Sequence, residues 1–382
     1  MDGKTRKRRV NMQDVARRAG VSQSTVSLVV NKVPTVAAET RERVSRAIEE
    51  LGFRANRSAR NLRGSPSKTI GFVTNQMATS PFAGRTILGA QEVAWKHGHV
   101  LLVVDVGDSA ELTDTAVNVL LDQDVSGIIY AAMTPKSLYI PAPLRDVPFI
   151  VVNADPRGIE EFPLVDAGNY DGGALAARTL LAAGHTRILY LAGEPENPVT
   201  NDRERGFRDV MASLPASLVE FRIDYGTYEI SSGYRRMRTA IEQDAWWPSA
   251  IFAANDRVAL GVVQALSEAG RRVPDDMSLL GYDDQPALAD QVHPALTTIT
   301  LPHLEMGQLA VKALLEQIDS GLKPGPVMAR PQLIVRESIR VVGPSIEAPQ
   351  PPGQPPRPPA VAVFPIKAKG KSPHPNHRRA PH

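Results

Sequence analysis

The apolar positions of this chain follow two rhythms that change near residue 64. Before that point they recur every three or four residues, the period of a helix with one buried face. Met12–Ala19 sets Val15, Ala16 and Ala19 on one side, and Gln23 to about Val30 turns Val26, Val29 and Val30 inward. Ala38–Leu51 does the same with Val44, Ala47, Ile48 and Leu51. From 65 to 343, short apolar runs alternate with amphipathic stretches. The runs predict strands at Thr69–Thr74, Val100–Val106, Gly127–Tyr130, Phe149–Asn153, Ile188–Ala192, Ala250–Ala254 and Ser278–Gly281. Helices are expected between them, at Ile87–His97, Leu112–Asp122, Gly173–Ala183, Gly233–Glu242 and Ala259–Glu268. This alternation implies βαβ units and an α/β fold of doubly wound parallel sheets. The strands are too many for one comfortable sheet, which predicts two lobes and a cleft. Ligands of such sheets bind at the carboxyl ends of the strands, just after the apolar runs.

Within the helical segment, the junction between the first two helices is informative. Gly20 supplies a tight turn, Val21 an apolar plug, and Ser22 the side chain of an N-cap. Two helices joined by a short Gly-containing turn form a helix-turn-helix unit. Gln23, Ser24, Ser27, Leu28 and Asn31 fall on the side of the second helix away from Val26, Val29 and Val30. That small polar face suits a DNA major groove.

Charge sharpens this reading. The whole chain of 382 residues has a formal net charge of only +3. Residues 1–64 hold 15 Lys/Arg against 6 Asp/Glu, 65–343 hold 23 against 34, and 344–382 hold 6 against 1. A basic head on an acidic body is the asymmetry expected when the head meets a polyanion. The basic NRSARNLR stretch follows, in which Asn56 can cap a short helix and Arg57, Arg60 and Arg63 can meet phosphates. Eight residues are too few for a stable isolated helix. Ordered on DNA, the segment would place Leu62 as a minor-groove wedge that bends the duplex. Composition alone favours a plain basic linker.

The C-terminal 39 residues contain 12 prolines and cannot bury a core, so a disordered Pro-rich basic tail is expected. The absence of cysteine excludes disulfides and thiolate chemistry. No apolar run approaches the roughly 20 residues of a membrane helix. The basic N-terminus leads into no apolar signal segment, so a cytoplasmic, nucleoid-associated protein is expected.

The body shows no phosphate loop, HExxH or GxSxG motif, so no enzyme activity, metal or cofactor is expected. His97, His99 and His185 read as surface or strand-end residues. The polar groups at strand ends suit recognition of a small polar molecule in a closing cleft. Ser80 and Phe82 follow the first strand, Arg203 opens a helix in NDRERGF, Asn255 and Asp256 end IFAAND, and Asp283 ends LLGYD with Asp284 following. Asp256 and Asp284 read equally well as helix caps. Trp246 and Trp247 read as packing or surface residues.

Several segments together resemble the LacI/GalR (lactose-repressor) family: DVARRAGVSQSTVSLVVN, TRERVSRAIEELGFRANRSARNL, TIGFVT, AAGHTRILYLAG, NDRERGF, FAANDRVALGVVQAL, GRRVPDDMSLLGYDD and PQLIVRESI. The resemblance covers roughly residues 10–340. It implies a helix-turn-helix head (1–55), a hinge helix (56–64), a periplasmic-binding-protein-like core (65–343), and then the tail (344–382). Lobe 1 is expected at about 65–163 and 299–324, and lobe 2 at about 164–298 and 325–343. The chain should therefore cross near 163, 298 and 325. A helix Met306–Ile318 should return it to lobe 1, and PQLIVRES should add an edge strand to lobe 2.

The resemblance further implies a homodimeric regulator, most simply a repressor, on a near-palindromic operator. Gln23, Ser24 and Leu28 occupy its base-reading positions, and Ala59 and Leu62 the minor-groove positions of the hinge. Arg203, Asn255 and Asp283 fall where the family holds effectors, Tyr228 where an aromatic stacks, and Asn153 where a polar side chain reaches in. The expected effector is a sugar, with a purine or other metabolite as the alternative. Ala131, where a polar side chain sometimes holds a sugar, counts slightly against the former. A solute-binding protein is the reading from another class, and the fused head argues against it. Leu28 departs from the family's usual arginine, which predicts a changed operator half-site.

Overall fold

The computed structural model describes residues 11–30, 33, 35–51, 67–76, 80, 82–132, 137–243 and 246–348. The chain divides into two compact units at Ser67–Lys68. In the first, α1 (Met12–Ala19), α2 (Gln23–Val30) and α3 (Ala38–Leu51) enclose a small core. Val15, Val26 and Val44 are fully buried there, with Ala16, Ala19, Val29 and Ala47 around them. Helix α1 opens with a reciprocal cap: the Asn11 side chain accepts the Asp14 amide and the Asp14 carboxylate accepts the Asn11 amide. It ends at Gly20, whose φ of +67° lies in the left-handed region that glycine adopts at no steric cost. The Ser22 hydroxyl then accepts the Thr25 amide at 3.1 Å, starting α2.

The second unit contains two six-stranded sheets. Lobe 1 is built on β1 (Thr69–Thr74), β2 (Val100–Asp105), β3 (Gly127–Ala131), β4 (Phe149–Val152), β5 (Leu164–Asp166) and, from much later in the chain, β11 (Val327–Met328). Its order is β11-β5-β4-β3-β1-β2, and all pairs are parallel. Lobe 2 uses β6 (Arg187–Leu191), β7 (Glu220–Asp224), β8 (Ala250–Ala253), β9 (Ser278–Asp283), β10 (Thr297–Thr300) and β12 (Leu333–Ile334). Its order is β12-β10-β9-β8-β6-β7, parallel except for β12. Helices α4 (Ala83–Lys96), α5 (Ala110–Asp122) and α10 (His303–Ser320) cover lobe 1. Helices α6 (Asn169–Ala182), α7 (Pro198–Ala212), α8 (Ile230–Gln243) and α9 (Asp256–Glu268) cover lobe 2. The inner strands of each sheet are buried on both faces, as parallel sheets require.

The chain crosses between lobes three times, each crossing a few residues later than expected. Leu164–Asp166 pairs with β4 in lobe 1, Thr297–Thr300 pairs with β9 in lobe 2, and Val327–Met328 returns to pair with β5 in lobe 1. The physical reason is that each strand completes its ladder before the chain leaves the sheet. The body helices also begin two to four residues before their expected starts, because their first turns are polar. Strand β7, EFRID, was not foreseen, since it alternates and carries no apolar run.

Glycines bring paired helices into backbone contact at the cleft end of each lobe. A Cβ on Gly89 of α4 would lie 2.0 Å from the Leu304 carbonyl oxygen of α10. A Cβ on Gly173 of α6 would lie 1.9 Å from the Arg203 carbonyl oxygen of α7. Only glycine permits either approach. The two contacts fix where His303 and Arg203 stand.

Candidate functional site

On the head, Gln23, Ser24 and Leu28 are exposed along α2, and Leu28 keeps 39% of its surface free. An exposed leucine on a polar helix face is available for contact with a partner. Ser27 corrects the expectation: it is 4% exposed and belongs to the buried side. One helical step from Val26 and three from Val30, its short side chain is covered by the neighbouring packing. Asn31, the hinge residues Asn56, Arg57, Ala59, Arg60 and Leu62, and the Pro-rich tail lie outside the described residues.

In lobe 2 the expected residues converge and are bonded to one another. Arg203 lies in the second turn of α7, because Asn197 caps that helix and Pro198 starts it. It therefore does not open the helix as expected. Its guanidinium is 3% exposed, donates to Asn169 Oδ1 at 3.0 Å and to the Ala254 carbonyl at 2.8 Å, and lies 3.5 Å above the Tyr282 ring. Its Nη2 stands 3.8 Å from Asp283 Oδ1. Asp283 ends β9 with φ at +101°, a strained conformation for a residue with a side chain. Burial pushes its carboxyl up to about 7, against the opposing pull of Arg203.

Asn255 caps α9 by accepting the Val258 amide and donates its own amide to the Tyr228 carbonyl. The Tyr228 hydroxyl meets the Thr200 hydroxyl at 2.8 Å. The tyrosine ring lies so close to Gly193 that a Cβ there would fall 2.3 Å from it. Asp256 is tied inward, accepting from the Thr298 hydroxyl and the Gln285 amide. Burial, then the neighbouring Asp283, pushes its carboxyl well up. Asp284 pairs with Arg336. Trp246 packs partly buried in lobe 2 with Arg187 and Arg222 against its ring.

The lobe 1 wall is assembled differently. Asn153, just after β4, is 5% exposed with φ at +57° and donates to the Ala132 carbonyl. The Ser80 hydroxyl accepts the Phe82 amide. Phe82, at the start of α4, stacks on His303 with centroids 4.8 Å apart. The apolar period of this helix becomes regular only at Met306, which hides His303 in its first turn. The signal was Pro302, whose ring suits the entry to a helix. Asn153, Asp155 and Asp166 of lobe 1 face Asn169, Val199 and Asp202 of lobe 2 across a small recess, which places Asn153 at the boundary between the lobes.

Among the described residues, no group of three or more His, Asp or Glu side chains has the arrangement of a metal site. None of their helices is long and apolar enough to cross a membrane.

Residues 11–56 match the family described as "Bacterial regulatory proteins, lacI family", and residues 177–339 match the "Periplasmic binding protein-like domain". The HTH-type transcriptional repressor PurR of Haemophilus influenzae (strain PittEE) is 32% identical over 337 residues, which are 87% of this chain and 99% of that protein. This chain belongs to the LacI family.

PurR of Vibrio vulnificus (strain CMCP6) is 31% identical over 87% of this chain and 99% of its own length. Among solved structures, the lac repressor dimer bound to operator and the anti-inducer ONPF superposes with a TM-score of 0.75. It is 29% identical, over 87% of this chain and all of that one. The transcriptional regulator CelR in complex with cellobiose gives 0.57 at 29% identity, over 86% of this chain and all of that one. As a LacI-family protein, the chain is a DNA-binding transcriptional regulator that answers to a small molecule. Its helix-turn-helix head and two-lobed parallel-sheet core have the family's fold.

Proposed function

We propose that the protein is a homodimeric repressor whose α2 helices read a near-palindromic operator and whose interlobe cleft takes a small neutral effector, a sugar by preference. The observation that carries this is the pairing of an exposed polar face on α2 with a cleft where Arg203, Asn255 and Asp283 already converge. Gln23, Ser24 and Leu28 face the bases, and Asn31 acts with them on the operator. Asn56, Arg57, Ala59, Arg60 and Leu62 contact the operator in its minor groove, where an apolar side chain can bend the duplex.

The second copy docks on lobe 1, where α4 and the edge strand β2 expose Leu88, Trp95, Val100 and Leu102. Such a patch on a sheet edge needs a cover. A purine is the second reading for the effector, favoured by the Phe82 and Tyr228 rings at the cleft and by relatives named PurR. The protein acts in the cytoplasm, and turnover of the effector forms no part of this reading.

Selection of operators from random DNA by the full-length protein, followed by salt titration, tests the proposal. A palindromic site is expected; sequence-blind binding that fails steeply with salt would refute it. The same selection examines Leu28, which can pack on a thymine methyl but cannot make arginine's bidentate bond to guanine. Leu28→Arg is expected to shift one base pair of each half-site to guanine, by about 1–3 kcal/mol of discrimination. An unchanged site would remove Leu28 from the reading face.

A further inference from the structure

His303 is a buried titratable group at a crossing between the lobes that the reading above leaves unused. It stands where the chain leaves β10, enters lobe 1 and starts α10, and it is 2% exposed. One face of its ring rests on Phe82, with planes at 21°. Nδ1 lies 3.4 Å from the Thr86 hydroxyl on α4. Nε2, on the other edge of the ring, is buried without a hydrogen-bond partner. Burial, then the positive charges of Arg85 and Arg203, keeps the imidazole neutral, with a pKa lowered to about 3. The effect of Arg203 is informative, because that residue stands on lobe 2 and brings the opposite wall within electrostatic reach.

Buried polar atoms in folded proteins are paired in the great majority of cases. An orphan at the junction of two lobes is placed to find its partner in a molecule held between them. We infer that His303 is an effector-recognition residue: its Nε2 hydrogen-bonds an uncharged hydroxyl or carbonyl of the small molecule from the lobe 1 side. This deepens, and rests on, the reading of the cleft as the effector site. Phe82 supplies the apolar side, and Arg203 with Asp283 the opposite edge.

The uncharged character follows from the surrounding pairs. Arg203 already spends hydrogens on Asn169 and Ala254 and faces the Asp283 carboxyl, so a full charge on the ligand would lack a free counter-charge there. Thr86 sets the direction of the new bond. If its hydroxyl donates to Nδ1, Nε2 carries the proton and donates; if Nδ1–H donates to Thr86, Nε2 accepts. A hydroxyl satisfies both tautomers and a carbonyl only the first, so a hydroxyl-bearing molecule is the better fit.

Thermal-shift and calorimetric titration of the full-length protein tests this, with cellobiose, ONPG and guanosine as neutral probes and gluconate and glucosamine as charged ones. His303→Phe keeps a ring against Phe82 without nitrogens, and His303→Gln returns a polar end. A neutral probe is expected to raise the Tm of the wild type. His303→Phe should weaken its affinity at least tenfold while its own unliganded Tm holds or rises, and His303→Gln should recover part of the loss. If His303→Phe fails to fold, His303→Asn, which reaches only the Nδ1 side, should show the same weakening.

Equal probe affinity in His303→Phe and wild type, with or without a fall in Tm, would overturn the assignment. Binding confined to the charged probes would do the same, as would a wild type that selects an operator yet binds no neutral probe. A wild type that neither selects an operator nor binds a probe defeats the regulator reading itself. Operator selection with intact probe binding in His303→Phe defeats the His303 assignment alone.

Discussion

In lobe 2 Arg203 joins Asn169, the Ala254 carbonyl and Asp283, and Asn255 joins α9 to Tyr228. In lobe 1 the wall rests on ring contact between Phe82 and His303, and one imidazole nitrogen is unpaired. Both lobes share a sheet order and a glycine-mediated helix contact, so the scaffold does not cause the difference. The side chains at the strand ends do. The Arg203 cluster of lobe 2 is knit together and carries stability, with the Tyr282 hydroxyl beside it buried and unpaired, whereas the contact proposed for His303 in lobe 1 is completed by a ligand. Substitutions at equivalent depths should therefore differ in what they damage.

The largest effect is expected from Arg203→Ala, which removes the partner of a buried carboxyl and opens four contacts together. Breaking such a pair typically costs about 3–5 kcal/mol. Denaturant unfolding should show a midpoint well below that of the wild type, and effector response should disappear with it. A wild-type midpoint would mean that lobe 2 is not preorganised by this residue.

Next in size is a dependence on pH. The carboxyl of Asp283 is raised in the folded state from its ordinary 3.8 to about 7. Its stabilising share is then fully present below pH 4 and is lost as pH rises toward 7. The loss is on the order of 4 kcal/mol, taking about 1.4 kcal/mol per pKa unit. Asp256 acts in the same direction. Asp283→Asn, which cannot ionise, should flatten the decline of stability between pH 4 and pH 7, measured as the urea midpoint at each pH. A slope equal to that of the wild type would assign the dependence elsewhere.

Much of this architecture is legible in the sequence, and the failures share a physical origin. The runs TIGFVT, IFAA and SLLG announce their strands because both faces of a parallel strand are buried. EFRID lies at a sheet edge, alternates in burial, and gives no such run. Helix starts are hidden in the sequence for a related reason. The first turn of α9 begins with Asn255 and Asp256, whose polarity hides the fact that both are buried and bonded. His303 went unread in the same way, since a lone histidine before an apolar stretch carries no period. Arg203, Asn255 and Asp283 were found through whole motifs, and their bonding to each other appears only once α7, α9 and β9 meet. Ser27 is polar and yet buried, so polarity alone does not mark the exposed face of α2.

The smallest expected effect belongs to lobe 1. Phe82 is half-buried, so Phe82→Ala should cost only about 1 kcal/mol of unliganded stability. Its effect on the effector should be much larger than that figure suggests, with a neutral probe's thermal shift abolished. A midpoint falling as far as in Arg203→Ala would erase the distinction between the lobes.

The three crossings also bear on how such a molecule acquires new specificities. The head is one uninterrupted stretch, so a single recombination event between genes can exchange it whole, and with it the operator. Neither lobe can be exchanged that way. Each is assembled from segments separated along the gene, and a single splice within the core would join strands that grew up in different sheets. A new ligand must therefore be reached by replacing individual side chains on the cleft walls, while a new operator can be imported ready-made.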